Sequence, residues 1–210
     1  MCVKLIDVTK RFGEKAVLSS LNQEFLAGKC YAIAGASGIA KTTLLRIISG
    51  LEIQDSGSVI LPEDAVISYA FQEPRLFDEL TVAENISVVH PERDGLQILL
   101  ELDLSNDADK YPDELSGGMK KRVGLARALA KKAHIYLIDE PTGGQDAQRC
   151  HTIAETISRY TQGSLCLVST HDAALIGAIA DHLIVFTESS VQVYDHIKDR
   201  PLDEIQTLMR

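Results

Sequence analysis

The chain of 210 residues is long enough to bury the core of one domain, and its 45% apolar and 24% charged residues are typical of folded proteins. Its net charge of −9 argues against nucleic acid as a partner and against direct adhesion to anionic lipid, because both rely on clustered Lys and Arg. No apolar run approaches the roughly 18–20 residues needed to span a bilayer.

The N-terminus and the cysteines indicate a cytoplasmic protein. Asp7 interrupts the first apolar stretch at the point where a signal peptide would continue. Cys2, Cys30, Cys150 and Cys166 form no C-x-x-C pair, so neither a zinc site nor a disulfide framework is predicted. We therefore expect four reduced thiols.

The first third of the sequence predicts short strands around one helix. A Gly-rich turn follows the third strand and leads into a helix at 41–49, which Gly50 ends. Pro62 and Gly57 punctuate the later strands. The strands are predicted at 3–8, 21–25, 30–34, 58–61 and 66–71.

The rest of the sequence predicts a helical insertion followed by alternating strands and helices. Residues 81–131 are predicted to be helical, starting with a capping box formed by Thr81 and Glu84. Strands at 135–139, 165–169 and 182–186 then alternate with helices at 147–161 and 173–180, and a small tail helix at 201–209 is expected to pack on its own domain. Such alternation implies parallel strands with crossover helices. We predict an α/β domain with a core lobe, 1–72 and 132–210, and a helical lobe, 73–131.

A glycine-rich turn between an apolar strand and a helix predicts a phosphate-binding loop. Small residues let successive backbone N–H groups wrap phosphates, and the helix N-terminus adds partial positive charge. Lys41 would place its ammonium against the β- and γ-phosphate oxygens, and the Thr42 hydroxyl would reach Mg²⁺. The residues that match this Walker A pattern for ATP are Gly35, Ala36, Ser37, Gly38, Ile39, Ala40, Lys41, Thr42 and Thr43.

One position departs from the pattern, because Ala40 stands where a glycine usually precedes the lysine. If the backbone there is left-handed, the Cβ costs about 1–2 kcal/mol, and otherwise the cost is small. This departure leaves open a weak or degenerate nucleotide site.

A second motif narrows the class of protein. Leu115-Ser116-Gly117-Gly118-Met119, followed by a basic stretch through 129, resembles the signature of ABC ATPases, with Met119 in place of the commoner Gln. The resemblance implies a P-loop NTPase core with a mostly parallel sheet, a small antiparallel β part and an α-helical subdomain. It also implies that Ser116, Gly117 and Gly118 start a helix whose N-terminus faces the γ-phosphate held by a second subunit.

The resemblance extends over nearly the whole chain and implies roles for five further residues. Asp139 would hold Mg²⁺ through its water shell, and Glu140 would polarise the attacking water as general base. Gln72 matches a residue that contacts Mg²⁺ and this water, and His171 matches a switch histidine that contacts the γ-phosphate. Phe12 matches the aromatic residue that stacks on adenine.

Position 145 is a second departure from the family pattern. Gln145 lies in the D-loop (143–146), which crosses to the partner subunit in this family, and it occupies a position where an apolar residue, usually Leu, is expected. The change would either loosen coupling between the two nucleotide sites or repack the interface.

The function implied by the resemblance is that of the ATP-hydrolysing subunit of an ABC transporter, closest to importers of the nitrate/sulfonate/taurine group. ATP and Mg²⁺ would lie between Lys41 of one chain and 116–118 of another in a head-to-tail dimer. Expected partners are a second ATPase subunit, a transmembrane permease subunit that docks near 72–77, and a solute-binding protein. The permease would hold the chain on the inner face of the cell membrane.

Three other interpretations stay open from the sequence: a degenerate ATP-binding module with weak hydrolysis, a non-transport ABC ATPase, and a P-loop kinase. Non-transport members need coiled-coil insertions, zinc modules or tandem cassettes, none of which the sequence contains. The signature motif disfavours a kinase. The transported solute is not encoded in any motif of this chain.

Overall fold

A computed structural model describes residues 2–35, 40–89, 95–187 and 190–209. The strands in this part of the chain are, in order, Cys2–Phe12 (β1), Lys15–Leu26 (β2), Cys30–Gly35 (β3), Ser56–Ile60 (β4), Ile67–Ala70 (β5), Ile135–Asp139 (β6), Leu165–Ser169 (β7), His182–Phe186 (β8) and Val191–Asp195 (β9). The α-helices are Lys41–Ile48 (α1), Val82–Ser87 (α2), Gly95–Glu101 (α3), Gly117–Ala130 (α4), Ala147–Tyr160 (α5), Ala173–Ile179 (α6) and Leu202–Leu208 (α7).

These strands form two sheets. The larger has the order β5-β6-β7-β3-β8-β9 and is parallel except for the β8–β9 pair, whereas the smaller sheet, β2-β1-β4, is antiparallel. The α/β fold with a mostly parallel sheet and a small antiparallel part is therefore confirmed. Two details differ from the prediction: β1 and β2 form a longer hairpin than expected, and β9 was not predicted.

The larger sheet is covered on both faces, because alternate side chains of each buried strand enter different clusters. On β6, Leu137 packs with α1 and the antiparallel sheet, whereas Ile138 packs with the helices α2 to α5. On β3, Ile33 joins the first of these clusters, and Ala34 joins a third that includes Ile205 of α7. This burial on both faces explains why the sequences of these strands are continuous runs of apolar residues. The predicted tail helix packs on its own domain, as expected.

The first helix of the insertion begins at the predicted capping box. The Thr81 hydroxyl accepts a hydrogen bond from the Glu84 N–H at 3.3 Å, and Glu84 Oε2 accepts one from the Thr81 N–H at 2.8 Å. No helix among the described residues combines the length and the apolar character needed to cross a bilayer.

Parallel pairing brings the carboxyl ends of four strands to one edge of the larger sheet. The register aligns Gly35 of β3 with β8, Asp139 of β6 with Ser169 of β7, and Ala70 of β5 with Ile138 of β6. Ligands of parallel α/β sheets bind at this edge. Five of the site residues predicted from the sequence lie at or just beyond the ends of β3, β5, β6 and β7: Lys41, Gln72, Asp139, Glu140 and His171.

Candidate functional site

The predicted phosphate loop connects β3 to α1, and its first residue requires glycine. Gly35 has φ +137°, and a Cβ there would lie 2.4 Å from the Phe186 carbonyl oxygen on β8. Any other residue would push the loop off the neighbouring strand. The predicted loop residues Ala36, Ser37, Gly38 and Ile39 lie outside the described residues.

The second half of the loop brings a cation to the start of α1. The Lys41 ammonium is largely buried and donates a hydrogen bond to the Gly35 carbonyl oxygen at 2.8 Å. Thr42 and Thr43 are half-buried in the first turn, which contains no acidic residue. A helix N-terminus without carboxylates, combined with a lysine, suits an anion such as a polyphosphate.

Ala40 precedes the lysine in a left-handed backbone conformation, with φ 24° and ψ −14°. Its methyl group is buried against the core that contains α1. The structure therefore decides the alternative that the sequence left open: the position where the Walker A pattern has glycine does take a positive φ here. The Cβ of Ala40 is a source of local strain beside the phosphate loop.

The carboxylate of Asp139 lies buried at the end of β6, with 3% of its surface exposed. The Ser169 hydroxyl on β7 donates a hydrogen bond to Asp139 Oδ1. Sequence analysis missed Ser169, since its partner becomes apparent only from the pairing of Asp139 with Ser169 across β6 and β7. The one signal in the sequence is a serine that follows an apolar strand two residues before His171.

Glu140 turns away from the strand and meets the predicted histidine. Its φ is +49°, and its N–H donates to the Ser169 carbonyl oxygen at 3.0 Å. This conformation lets Glu140 Oε2 approach His171 Nδ1 to 2.9 Å. The Glu140 side chain is 14% exposed and the His171 side chain 74% exposed, so the pair links the buried end of β6 to the surface. Left-handed non-glycine residues of this kind concentrate at functional sites.

The residues around Asp139 fit a magnesium ion. None of the ion pairs among the described residues includes Asp139, although its carboxylate is buried. The Tyr69 hydroxyl on β5 is also buried and has no hydrogen-bond partner within the described part of the chain. Burial, and then the negative charge of Asp139, raise the Tyr69 pKa. A buried carboxylate without a cation and an unpaired hydroxyl beside it suit a hydrated hard cation.

Gln72 and Phe12 are less closely tied to the other site residues. Gln72 is exposed two residues after the end of β5, whose last residue, Ala70, pairs with Ile138 of β6. Phe12 ends β1 with 52% of its surface exposed, and the Lys10 ammonium lies 5.3 Å from the centre of its ring. An exposed ring is available for stacking.

The signature motif forms the exposed start of α4. The Ser116 hydroxyl caps this helix by accepting a hydrogen bond from the Met119 N–H at 3.3 Å. Ser116 and Gly117 are exposed, and a Cβ at Gly117 would meet no atom within 4 Å. Gly118 is half-buried, and a Cβ there would lie 2.9 Å from Gln145 Nε2 of the D-loop. The helix therefore presents free space and amide donors at its N-terminus.

Comparison with known proteins identifies the family of the chain. The family model described as ABC transporter matches residues 18–143. The aliphatic sulfonates import ATP-binding protein SsuB 1 of Shouchella clausii is 34% identical, with 96% of this chain and 84% of that protein aligned. The sulfate/thiosulfate import ATP-binding protein CysA of Escherichia coli K12 is also 34% identical, but the chain spans only 60% of that protein's length.

A solved structure shares both the fold and part of the sequence. The ATP-binding cassette MJ0796, captured as a dimer in a post-hydrolysis state with ADP and Pi, superposes with a TM-score of 0.81 at 28% identity, covering 92% of this chain and 98% of that one. The chain thus belongs to the ABC transporter family. It is an ATP-binding subunit and an ATPase, with ATP as substrate and Mg²⁺ as the metal, and neither a P-loop kinase nor a non-transport ATPase is favoured.

Proposed function

We propose that this chain powers an importer, and that Glu140 is the general base that activates the water attacking ATP. The observation that carries this proposal is the Glu140–His171 pair, held at 2.9 Å beside the buried carboxylate of Asp139. A carboxylate in this position accepts the proton of a water as it attacks the γ-phosphorus. His171 keeps the carboxylate oriented and is exposed enough to reach a γ-phosphate.

The remaining site residues bind and orient ATP. Lys41 and the backbone N–H groups of 35–43, among them those of Ala36, Ser37, Gly38 and Ile39, cradle the β- and γ-phosphates. Phe12 stacks on the adenine. Thr42, Gln72 and Asp139 would hold Mg²⁺, which would supply positive charge to neutralise the phosphates.

A second copy completes each site in our proposal. Ser116, Gly117 and Gly118 of one chain contact the γ-phosphate that is bound by Lys41 of the other. The exposed N-terminus of α4 and the dimeric state of MJ0796 support this arrangement. Residues 73–131 would then move as a helical lobe relative to the core formed by 1–72 and 132–210, so that ATP binding closes the dimer.

We infer the class of solute from the relatives. Those named for aliphatic sulfonate and for sulfate or thiosulfate import point to a sulfur oxyanion. A transmembrane permease subunit would form the pathway, and a solute-binding protein would deliver the solute. Attachment to the permease would keep the chain on the cytoplasmic face of the membrane.

The Glu140→Gln variant tests the catalytic proposal. We expect its ATP turnover to fall by about 10²–10⁴-fold, because a positioned general base contributes a factor of this size. ATP binding should persist, and a stable dimer should form with ATP. Phosphate release, nucleotide binding and gel filtration measure the three properties. Glu63→Gln, a matched change at an exposed residue in a turn, should leave turnover at the wild-type level.

Two results would contradict the proposal. Full turnover by Glu140→Gln would remove Glu140 from the role of base. Absence of Mg²⁺-dependent turnover in the wild-type chain, with and without its permease, would support the degenerate ATP-binding module instead. Wild-type turnover that Lys41→Ala abolishes would reject that alternative, because the phosphate loop would then be shown to be active.

A further inference from the structure

The D-loop residue Gln145 makes two hydrogen bonds that an apolar side chain could not make. Its Oε1 atom accepts a hydrogen bond from Arg122 Nη1 on α4 at 2.8 Å. Its Nε2 atom donates to the Gly118 carbonyl oxygen, in the first turn of α4, at 3.2 Å. Leucine, the residue expected here from the family pattern, has neither group.

Arg122 depends on this contact, because its guanidinium is buried without a carboxylate. Only 7% of the Arg122 surface is exposed, and no ion pair among the described residues includes it. Its Nε atom donates to the Leu102 carbonyl oxygen at 2.9 Å, which leaves Gln145 as the acceptor for Nη1. Burial lowers the Arg122 pKa, as expected for a charge satisfied by neutral oxygens. A buried charged donor that loses its acceptor is costly.

The D-loop and the start of α4 are in direct contact through these groups. A Cβ at Gly118 would lie 2.9 Å from Gln145 Nε2, so the amide packs directly on the helix. A second connection runs from the Lys121 ammonium to the Gly143 carbonyl oxygen at 2.9 Å. The D-loop is in turn joined to Glu140 by a tight turn, in which the Gln145 N–H donates to the Thr142 carbonyl oxygen at 3.0 Å.

We propose that Gln145 is a positioning residue that fixes the N-terminus of α4 relative to the D-loop of the same chain. It thereby sets where Ser116 and Gly117 meet the ATP bound by the second copy. This inference rests on the proposed dimeric site. These contacts run continuously from Glu140 through the D-loop to the start of α4.

Mixed dimers test the inference, because they separate the chain that binds ATP from the chain that offers the signature motif. Two differently tagged copies are combined, and one of them carries Lys41→Ala, which inactivates its own phosphate loop. The one working site of the mixed dimer then consists of the phosphate loop of the intact copy and α4 of the Lys41→Ala copy. Gln145→Leu is then placed on either copy. On the Lys41→Ala copy it should lower kcat/KM for ATP by about tenfold or more, the effect of losing a hydrogen bond to a charged group. On the intact copy its effect should be much smaller.

Three further variants distinguish positioning from loss of folding. Gln145→Met keeps the length of the side chain without its polar atoms and should behave like Gln145→Leu. Gln145→Glu keeps an acceptor for Arg122 and should recover most of the lost kcat/KM. Gln162→Leu, a matched change at an exposed residue beyond the end of α5, should have no effect.

The outcomes separate the inference from the proposed function. If the mixed dimer without any change at 145 shows no turnover, the dimeric site itself fails, and the inference fails with it. Suppose instead that this dimer is active. If Gln145→Leu then lowers kcat/KM equally on either copy, or more on the intact copy, the inference is overturned and the proposed function stands. Equal losses in the Leu and Glu variants would also overturn it, since the acceptor for Arg122 would then be irrelevant.

Discussion

At the scale of the residue, Ala40 shows how one methyl group can strain a nucleotide site. The backbone takes φ 24° at the residue before Lys41, where glycine would be free of strain. The methyl group is buried, so part of the cost is offset by its removal from water. The balance of these two effects can be measured.

We expect Ala40→Gly to stabilise the chain. Relief of the left-handed conformation contributes about 1–2 kcal/mol, and loss of one buried methyl group costs about 0.8 kcal/mol, so the net gain should be below or near 1 kcal/mol. Urea unfolding measures the change. The control is Ala174→Gly at an exposed position in α6, which should destabilise by about 0.5–1 kcal/mol because its backbone is helical. If Ala40→Gly lost as much stability as the control, the conclusion that the backbone of Ala40 is strained would be contradicted.

At the scale of the element, the capping box of α2 gives a pH-dependent contribution to stability. Hydrogen bonds from the Thr81 backbone and hydroxyl lower the Glu84 pKa below its ordinary value of 4.5. A lowered pKa means that the folded state favours the carboxylate. The stabilisation is therefore complete above pH 4.5 and is lost as the pH falls through the lowered pKa.

The corresponding prediction concerns Glu84→Gln. The variant should unfold more easily than the wild type at neutral pH, and the difference should shrink in acid, since the wild-type carboxyl is then protonated as well. Denaturant unfolding at a series of pH values measures it, with the exposed Glu63→Gln as the reference change. A difference that stays constant with pH would show that the charge of Glu84 is not involved.

The elements also show what the sequence could predict. Buried parallel strands such as β6 and β7 were predicted because they are covered on both faces and read as unbroken apolar runs. β9 was missed because it is an edge strand whose residues are mostly exposed, so its alternation carries no strong apolar signal. The lengths of β1 and β2 depend on pairing with each other across a hairpin, which local patterns underestimate.

The same distinction applies to the site. Lys41, Asp139, Glu140 and His171 each follow an apolar strand, so their positions could be predicted one at a time. The partnership of Ser169 with Asp139 depends on lateral strand register, which no local pattern encodes.

At the scale of the whole molecule, exposed apolar side chains that follow Gln72 in the chain are the surface that we propose for docking of the permease. Phe77 and Val88 are about half exposed. Arg127 of α4 supports the segment beneath them: its guanidinium lies 5.4 Å from the centre of the Phe77 ring and donates to the Pro74 carbonyl oxygen at 3.0 Å. Arg127 thus connects Phe77 to the helix that carries the signature motif, a connection that in our proposal would link the permease to that motif.

We expect Phe77→Ser to weaken binding to the permease by tenfold or more, because buried aromatic residues at interfaces often contribute about 2 kcal/mol. Co-purification of the chain with membranes that contain the permease measures this effect. Val193→Ser, at a similarly exposed apolar residue on β9, is the control and should bind normally. Equal binding by Phe77→Ser and wild type would place the docking surface elsewhere.

Strand β9 has a consequence for handling the protein. It covers β8, whose core side chains are almost completely buried, and it pairs antiparallel along the full length of that strand. A shortened version that stops before Val191 would leave unpaired, at the rim of the sheet, the backbone N–H and C=O groups of β8 that bond to β9, while those that bond to β3 would keep their partners. Such a rim recruits strands from other molecules, so the truncated protein would aggregate during expression even with every ATP-binding group intact.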